Sequence, residues 1–216
     1  MLTKQQLIIR LEQPSDYATV ENLTREAFWN VHVPGCDEHY LAHILRNSPD
    51  FIAELDYVAM IGNKLVGNIM YAKSKIIDGK GKEHPVITFG PVSVLPAQQS
   101  KGIGKELIMH TLNLAKELGY LVVVIYGDPD YYVRCGFVAG EMFGIRTSDG
   151  LFSPALQVVE LVPGALKGIE GCFHEAEVYH IDPLAAEEFD KSFPIKAKFE
   201  TASQQRFREL LSLSHP

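Results

Sequence analysis

The segment 88–107 (TFGPVSVLPAQQSKGIGKEL) constrains the fold most, because an apolar β-pattern runs through a short glycine-containing loop directly into a long helix. The N–H groups of a first helical turn have no partner within the helix and carry partial positive charge. Gly102 and Gly104 would let an anion approach the backbone unobstructed, and Lys101 and Lys105 add positive charge nearby. The segment predicts a phosphate-sized site, although a tight strand-to-helix turn without a ligand also fits the loop by itself.

Two common phosphate-binding motifs do not match this loop. A P-loop ends in Gly-Lys followed by Ser or Thr, whereas Glu106 follows Gly104 and Lys105. The dinucleotide-binding fingerprint needs a third glycine where Leu107 stands, and it follows the first strand of its unit rather than the fourth. The residues therefore argue against both motifs.

Gly90 and Pro91 interrupt the strand that leads into the loop. Proline cannot donate to a β-ladder, so this pair predicts a bulge or a point where strand pairing stops. A strand that parts from its neighbour leaves backbone groups unpaired, here near Val92 and Val94, and an extended ligand with amide groups can pair with them like an added strand. The pantetheine arm of coenzyme A is such a ligand, and its pyrophosphate would reach the loop at the end of the same strand.

A second motif, 128–137 (DPDYYVRCGF), follows the next predicted strand. Its tyrosines could place a hydroxyl near a thioester sulfur, or they could only pack. With the loop, the motif resembles the GCN5-related N-acetyltransferase (GNAT) superfamily. Residues 99–104 match its (Gln/Arg)-x-x-Gly-x-(Gly/Ala) coenzyme motif. Residues 131–137 resemble the Tyr-Tyr-x-Arg-Phe-Gly-Phe motif of the YhbS-like branch of predicted acetyltransferases, with Cys135 in place of the usual Phe. The resemblance covers about residues 7 to 163.

The resemblance implies acetyl-CoA as co-substrate, no metal, and direct attack on the thioester by a primary amine of a small molecule or peptide. It implies that a backbone N–H around Val94 stabilises the carbonyl oxygen and that Tyr132, as the catalytic general acid, protonates the leaving sulfur. The implied coenzyme contacts are Val92, Val94, Gln99, Ser100, Lys101, Gly102, Ile103, Gly104 and Lys105.

Neither the residues nor the resemblance identifies a general base. The predicted fourth strand, 86–95, contains no ionisable side chain, and Ser93 is a poor base. Candidates elsewhere are Glu26, His32, Asp37 and His84, and a solvent relay or an amine that arrives neutral also stays open. The missing base leaves a non-catalytic acyl-CoA-binding regulatory module on the same fold as the alternative. A nucleotide-binding protein that uses the same loop is a further one.

The apolar periodicity predicts an α/β (α+β) protein with the GNAT fold, a mixed and mostly antiparallel central sheet flanked by helices. Predicted strands lie at 7–11, 55–61, 65–71, 86–95, 121–126, 137–138 and 156–161, and predicted helices at 14–28, 37–46, 103–118 and 129–135. Residues 7–163 are the predicted N-acetyltransferase domain, and residues 164–216 a C-terminal helical extension packed on it. A helix begins at 182–183 and another after a capping box at 201–204, and Phe189, Phe193 and Phe199 are the expected anchors.

Composition narrows the class of partner. A net charge of −7 argues against nucleic acid, and the absence of a long apolar run argues against a membrane span. Three well-separated cysteines give neither a disulfide framework nor a zinc spacing, so a cytoplasmic location is expected. The sequence leaves open whether the chain forms a homodimer.

Contacts with the acceptor amine are expected from residues 29–35, the second helix and residues 143–152. Phe28, Trp29 and Phe152 are the candidate walls of its pocket.

Overall fold

A nine-stranded sheet carries helices on both faces in the computed structural model, which describes residues 6–216. The strands are β1 Leu7–Leu11, β2 Tyr57–Ile61, β3 Lys64–Asp78, β4 Glu83–Val94, β5 Val122–Tyr126, β6 Val138–Ala139, β7 Ile145–Arg146, β8 Leu156–Glu160 and β9 Gly171–His174. The helices are α1 Tyr17–Phe28, α2 Glu38–Leu45, α3 Ile103–Glu117, α4 Pro129–Tyr132, α5 Pro183–Asp190 and α6 Ala202–Ser212.

The strands follow the order β1-β2-β3-β4-β5-β8-β6, and β9 joins the sheet by pairing with the far end of β3 and with β7. Pairing is antiparallel except between β4 and β5 and between β7 and β9. The predicted mixed, mostly antiparallel sheet flanked by helices is therefore confirmed. Strand β9 lies beyond residue 163, so the C-terminal segment contributes to the sheet as well as to the helices. The domain boundary at residue 163 stays a prediction.

Strand β4 separates from β5 soon after they meet. The parallel pairing between them is recorded at Ile87 and Val123, and the register of β3 against β4 shifts opposite Gly90 and Pro91, where the sequence predicts a break. The Leu95 N–H donates to Val66 O on β3 at 2.9 Å. Because backbone groups alternate along a strand, those of the preceding residue, Val94, and of Val92 face the opposite edge, towards the gap.

Helix α3 packs on one face of the sheet through Leu107, Ile108 and Leu112, and α1 packs on the other face. The helix predicted at 103–118 is α3, which ends at Glu117. Gly119 follows with a left-handed φ of +90°, as is common just after a helix, and the Tyr120 N–H returns to Ala115 O at 3.0 Å. This rigid packing fixes the start of α3 at the end of β4.

The C-terminal segment is anchored on the α1–α2 side by a buried ion pair. Arg25, which is 1% exposed, donates through Nε to Asp190 Oδ1 at 2.6 Å. Phe189 and Phe193 pack against the ring of His39, as their predicted role as anchors requires. Phe199 is 57% exposed, so its prediction as an anchor is wrong.

The predicted capping box at Thr201 and Gln204 does not form at the start of α6. The Thr201 hydroxyl and the Gln204 amide both donate instead to Asn30 O, at 2.7 and 3.1 Å. Asn30 has a left-handed φ of +61°, and its side chain accepts from Gly35 N–H and donates to Ala197 O. A tertiary contact has replaced the local cap, and it ties the loop between α1 and α2 to the C-terminal segment.

Candidate active-site cleft

A cleft of about 750 Å³ opens where β4 and β5 separate. Its walls come from β4, the loop before α3 and the first turn of α3, the end of β5, α4, and the α1–α2 region. Of the predicted coenzyme contacts, those that line the cleft are Val92, Val94, Gln99, Ser100, Gly102, Ile103, Gly104 and Lys105. The predicted general acid Tyr132 lines it too. The structure thus brings the two sequence motifs to one cavity.

The start of α3 has the geometry of an anion site. Gly102 precedes the helix with a left-handed φ of +89°, which favours glycine. The Glu106 N–H donates to Gly102 O at 3.0 Å. The N–H groups of residues 103–105 come before this helical bond, so they are available to a ligand. The Gln99 amide donates to Val94 O at 3.1 Å and so fastens the loop to β4.

Lys101 lies outside the cleft lining. Its ammonium donates to Ala97 O at 2.8 Å and to Gln98 Oε1 at 3.0 Å, on the exposed side of the loop. Lys105 does line the cleft. Of the two lysines that the sequence placed near the loop, Lys105 is the one whose charge faces the cavity.

Gly104 makes a close contact that the sequence did not reveal. A Cβ at this position would lie 2.7 Å from the hydroxyl of Tyr131, so the space beside Gly104 is occupied by that ring. From the sequence, this glycine is predicted to let a phosphate approach the backbone closely. In the structure, its missing side chain also makes room for α4 against the first turn of α3.

Tyr132 is held by aromatic neighbours. Its ring centroid lies 5.9 Å from that of Phe89, 5.7 Å from that of Phe137 and 5.0 Å from that of Tyr131. Burial raises the pKa of the Tyr132 hydroxyl well above its ordinary value. The phenol therefore keeps its proton at neutral pH, as a proton donor in the cleft must.

His32, from the loop after α1, lines the same cleft. Its Nδ1 lies 2.9 Å from Glu38 Oε1, and its ring packs on Phe28 at 5.7 Å and on Phe207 of α6 at 4.9 Å between centroids. Glu38 and Phe28 also line the cleft. His32 is predicted from the sequence, but Glu38 and Phe207 are not. Their contacts with His32 depend on a loop and on a distant helix, and neither gives a periodic signal in the sequence.

The other predicted base candidates are placed elsewhere. Glu26 accepts from Lys196 Nζ at 3.0 Å, and His84 Nε2 lies 3.0 Å from Asp78 Oδ2 at the β3–β4 turn. Asp37 adjoins the cleft residue Glu38 but does not line the cavity. Burial, followed by the nearby Glu38 charge, raises the pKa of Asp37. Only one of the four candidates therefore faces the cleft.

The three aromatic residues considered as walls of an acceptor pocket lie in different parts of the structure. Phe28 lines the cleft. The Trp29 indole N–H donates to Ala197 O at 2.9 Å, which directs that ring to the C-terminal segment. Phe152 lines a second cavity and stacks with Arg146, whose guanidinium carbon is 3.7 Å from the ring centroid. The predictions for Trp29 and Phe152 as walls of this cleft are therefore wrong.

Residues 6–216 contain no cluster of three or more His, Cys, Asp or Glu side chains placed to hold a metal ion. Over the same range, no helix has the length and apolarity needed to cross a membrane.

A gap between strands that leads to a helix start with free N–H groups, with a protonated tyrosine in the same cleft, is typical of a coenzyme-dependent transferase. The sequence profile of the Acetyltransferase (GNAT) family matches residues 17–137, and the chain belongs to that family. The predicted family and the predicted class of enzyme, an acetyltransferase, are thereby confirmed.

Named relatives agree with this assignment. The chain is 29% identical over 171 residues to the uncharacterized N-acetyltransferase YhbS of Escherichia coli (strain K12), a match that covers 78% of this chain and 97% of the relative. The crystal structure of Escherichia coli YhbS in complex with CoA superposes with a TM-score of 0.73 at 25% identity, covering 84% of this chain and 96% of that one. A Brucella melitensis GNAT family acetyltransferase in complex with acetyl-CoA gives a TM-score of 0.65 at 28% identity, covering 81% and 99%.

Proposed function

We propose that this chain transfers the acetyl group of acetyl-CoA to a primary amine of a small molecule or peptide, by direct attack of the amine on the thioester. One observation carries the proposal. The free edge of β4 leads into the uncapped start of α3, and the neutral hydroxyl of Tyr132 lines the same cleft. These features match three consecutive parts of acetyl-CoA: the extended amide chain, the pyrophosphate that follows it, and the thioester at its other end.

The residues fit this co-substrate. Backbone groups of Val92 and Val94 face the gap and would pair with the pantetheine amides like a neighbouring strand. The N–H groups of residues 103–105, and that of Ser100 before them, would bind the pyrophosphate. Gln99 acts indirectly by fixing the loop, Lys105 adds charge in the cleft, and Lys101 adds charge from outside it.

Tyr132 is the proposed general acid. When the carbon–sulfur bond of the thioester breaks, the thiolate needs a proton, and a buried neutral phenol in the cleft supplies it. A positioned donor of this kind is worth about 10²–10⁴-fold in rate. A backbone N–H of this free edge, around Val94 and not engaged by a pantetheine amide, is the proposed donor to the carbonyl oxygen, which gains negative charge as the amine attacks.

A non-catalytic acyl-CoA-binding regulatory module is the second candidate, since the part of β4 that lines the cleft offers no base. Its Ser93 hydroxyl is buried and donates to Thr24 Oγ1 at 3.0 Å. Such a module would bind acetyl-CoA and leave every amine unmodified.

The test is a screen of amines and lysine-containing peptides with acetyl-CoA, read as released thiol, beside a thermal-shift titration with acetyl-CoA and with ATP. Tyr132→Phe should lower turnover about 10²–10⁴-fold with acetyl-CoA affinity nearly unchanged. Tyr57→Phe is the matched control, because the Tyr57 ring packs edge-on against His110 and does not line the cleft. Stabilisation by acetyl-CoA without transfer to any amine would favour the regulatory module. Stabilisation by ATP alone would favour a nucleotide-binding protein, and unchanged turnover in Tyr132→Phe would remove its role.

We place the protein in the cytoplasm because all three cysteines are free thiols, as expected in a reducing compartment. The homodimer stays a prediction, which light scattering on the purified protein tests.

A further inference from the structure

We propose that His32 takes the proton from the acceptor ammonium. Glu38 is its positioning residue, and Phe207 of α6 packs against its ring. This inference rests on the proposed acetyl transfer and supplies the base that the cleft-lining part of β4 lacks. Of the base candidates named from the sequence, His32 is the one that lines the cleft shared with Tyr132 and the free edge of β4.

The contacts of His32 set which nitrogen is free to accept a proton. Glu38 Oε1 is 2.9 Å from Nδ1, and because a carboxylate only accepts, Nδ1 carries the hydrogen. The neutral ring then has its lone pair on Nε2, which makes no hydrogen bond within residues 6–216. The side chain is 40% exposed, so an incoming amine can reach the ring.

The titratable side chains next to this ring are carboxylates. Glu38 contacts it from α2, and Asp37 lies at the start of the same helix. Helices α1 and α6 face it with Phe28 and Phe207, which carry no charge.

Phe207 lies between two arginines on α6. Arg208 Nη1 is 3.7 Å from Glu200 Oε1, and the second arginine is Arg206. Its guanidinium is 3.0 Å from Asp130 Oδ2 and 3.4 Å from Asp128 Oδ2, so it is paired with carboxylates on the α4 side of the cleft. Helix α6 therefore contacts two walls of the cleft, and both of its arginines lie within ion-pair distance of carboxylates.

The chemical step balances with the groups present. An N–H bond of the acceptor ammonium breaks, and its proton passes to His32 Nε2 while the freed lone pair forms a bond to the acetyl carbon. The carbon–sulfur bond then breaks, and the hydroxyl of Tyr132 protonates the sulfur. The nitrogen, now part of an amide, loses a proton that restores the phenol, and His32 returns its proton to solvent. The net products are the acetylated amine, the free thiol and one proton.

His32→Gln, Glu38→Gln and the control His43→Gln test the proposal, with the best amine from the acceptor screen. His43 is a matched control, because its Nδ1 lies 3.0 Å from Glu21 Oε1, it is 48% exposed, and it does not line the cleft. We expect His32→Gln to lower kcat/KM near pH 7 by about 10²-fold, with most of the loss recovered at high pH, where the amine arrives neutral. In His32→Gln the acid limb of the pH–rate profile should move up to the pKa of the acceptor amine itself, because only amine that is already neutral in solution can then react. In Glu38→Gln it should move to lower pH, since a neutral amide no longer stabilises the imidazolium.

Two readouts separate this role from a structural one. Calorimetric affinity for acetyl-CoA should be unchanged in His32→Gln. The imidazole Cε1–H resonance of His32 is assigned as the one that is missing from the NMR spectrum of His32→Gln. The pH midpoint of this resonance should change in Glu38→Gln. A wild-type pH–rate profile in His32→Gln, or an equal loss in His43→Gln, would overturn the proposal. If wild-type protein acetylates no amine, the proposed function itself has failed.

Discussion

The backbone of Gly127 lies against the ring of Tyr132, so closely that a Cβ at Gly127 would overlap the ring atom Cε2. Gly127 follows the last residue of β5, and the chain then enters α4, where the Asp128 carboxylate accepts from Asp130 N–H at 2.9 Å. The position of the Tyr132 hydroxyl therefore depends on the absence of a side chain five residues earlier.

Gly127→Ala should displace the Tyr132 ring and lower turnover by about 10²-fold, most of the way to the Tyr132→Phe value, because a donor must lie within hydrogen-bond reach of its target. Affinity for acetyl-CoA, measured by calorimetry, should fall much less. Gly79→Ala is the control, since a Cβ there meets nothing within 4 Å. Full turnover in Gly127→Ala would show that the ring position does not matter.

The close contact between Gly104, in the first turn of α3, and Tyr131, in α4, can be tested with a double variant. The Cβ of Gly104→Ala would lie 2.7 Å from the Tyr131 hydroxyl, but 3.9 Å from the ring carbon that carries it. Gly104→Ala should destabilise the fold by about 1–2 kcal/mol through this clash. Tyr131→Phe removes the clashing atom, so the double variant should regain about 1 kcal/mol relative to the sum of the single changes. Urea unfolding of the four proteins measures the coupling, and additive losses would exclude the contact.

The parts of the molecule that the sequence predicts well are those with a local physical cause. The period of apolar residues marks α3, Gly119 marks its end, and Gly90 with Pro91 marks the break in β4. Each signal depends on residues within one or two turns or strand repeats, where spacing and backbone chemistry determine the outcome.

Other features depend on residues far apart in the chain. Phe207 reaches His32, and Gln204 reaches the carbonyl of Asn30, from a helix at the other end of the sequence. The Thr201 hydroxyl was expected to cap α6, but the same carbonyl competes for it. Strand β9 was not predicted either, because four residues, Gly171–His174, carry too little periodicity.

Asn30 should be a strong determinant of stability. It is 3% exposed, its side chain bonds to Gly35 N–H at 2.7 Å and Ala197 O at 3.1 Å, and its φ is +61°. Asn30→Ala loses these bonds and places a Cβ residue without a polar side chain in the left-handed region, so a loss of about 2–4 kcal/mol is expected in urea unfolding. Asn30→Gly loses the same bonds, but glycine adopts a left-handed φ without strain. This variant should therefore be about 1 kcal/mol more stable to unfolding than Asn30→Ala. Equal losses would show that the left-handed conformation contributes nothing.

Glu175, just after β9, should make stability depend on pH. Burial raises the pKa of its carboxyl from 4.5 to about 7, with His180 acting weakly in the opposite direction. The folded state therefore holds this proton more tightly than the unfolded state. The favourable contribution is complete below about pH 4.5 and is lost as the pH rises through about 7. Glu175→Gln cannot ionise, so it should be more stable than wild type at pH 8 by up to about 3 kcal/mol.

The Glu175→Gln advantage should shrink to about 1 kcal/mol or less at about pH 5, where little of the penalty has developed. Burial also raises the pKa of Asp56, to about 9, but Asp56 is present in both proteins and its effect cancels in the comparison. Glu177→Gln is the control, because the Glu177 side chain is 94% exposed on the same segment. Urea unfolding at the two pH values measures the difference. Parallel pH curves for wild type and Glu175→Gln would mean that the carboxyl ionises in the folded protein without cost.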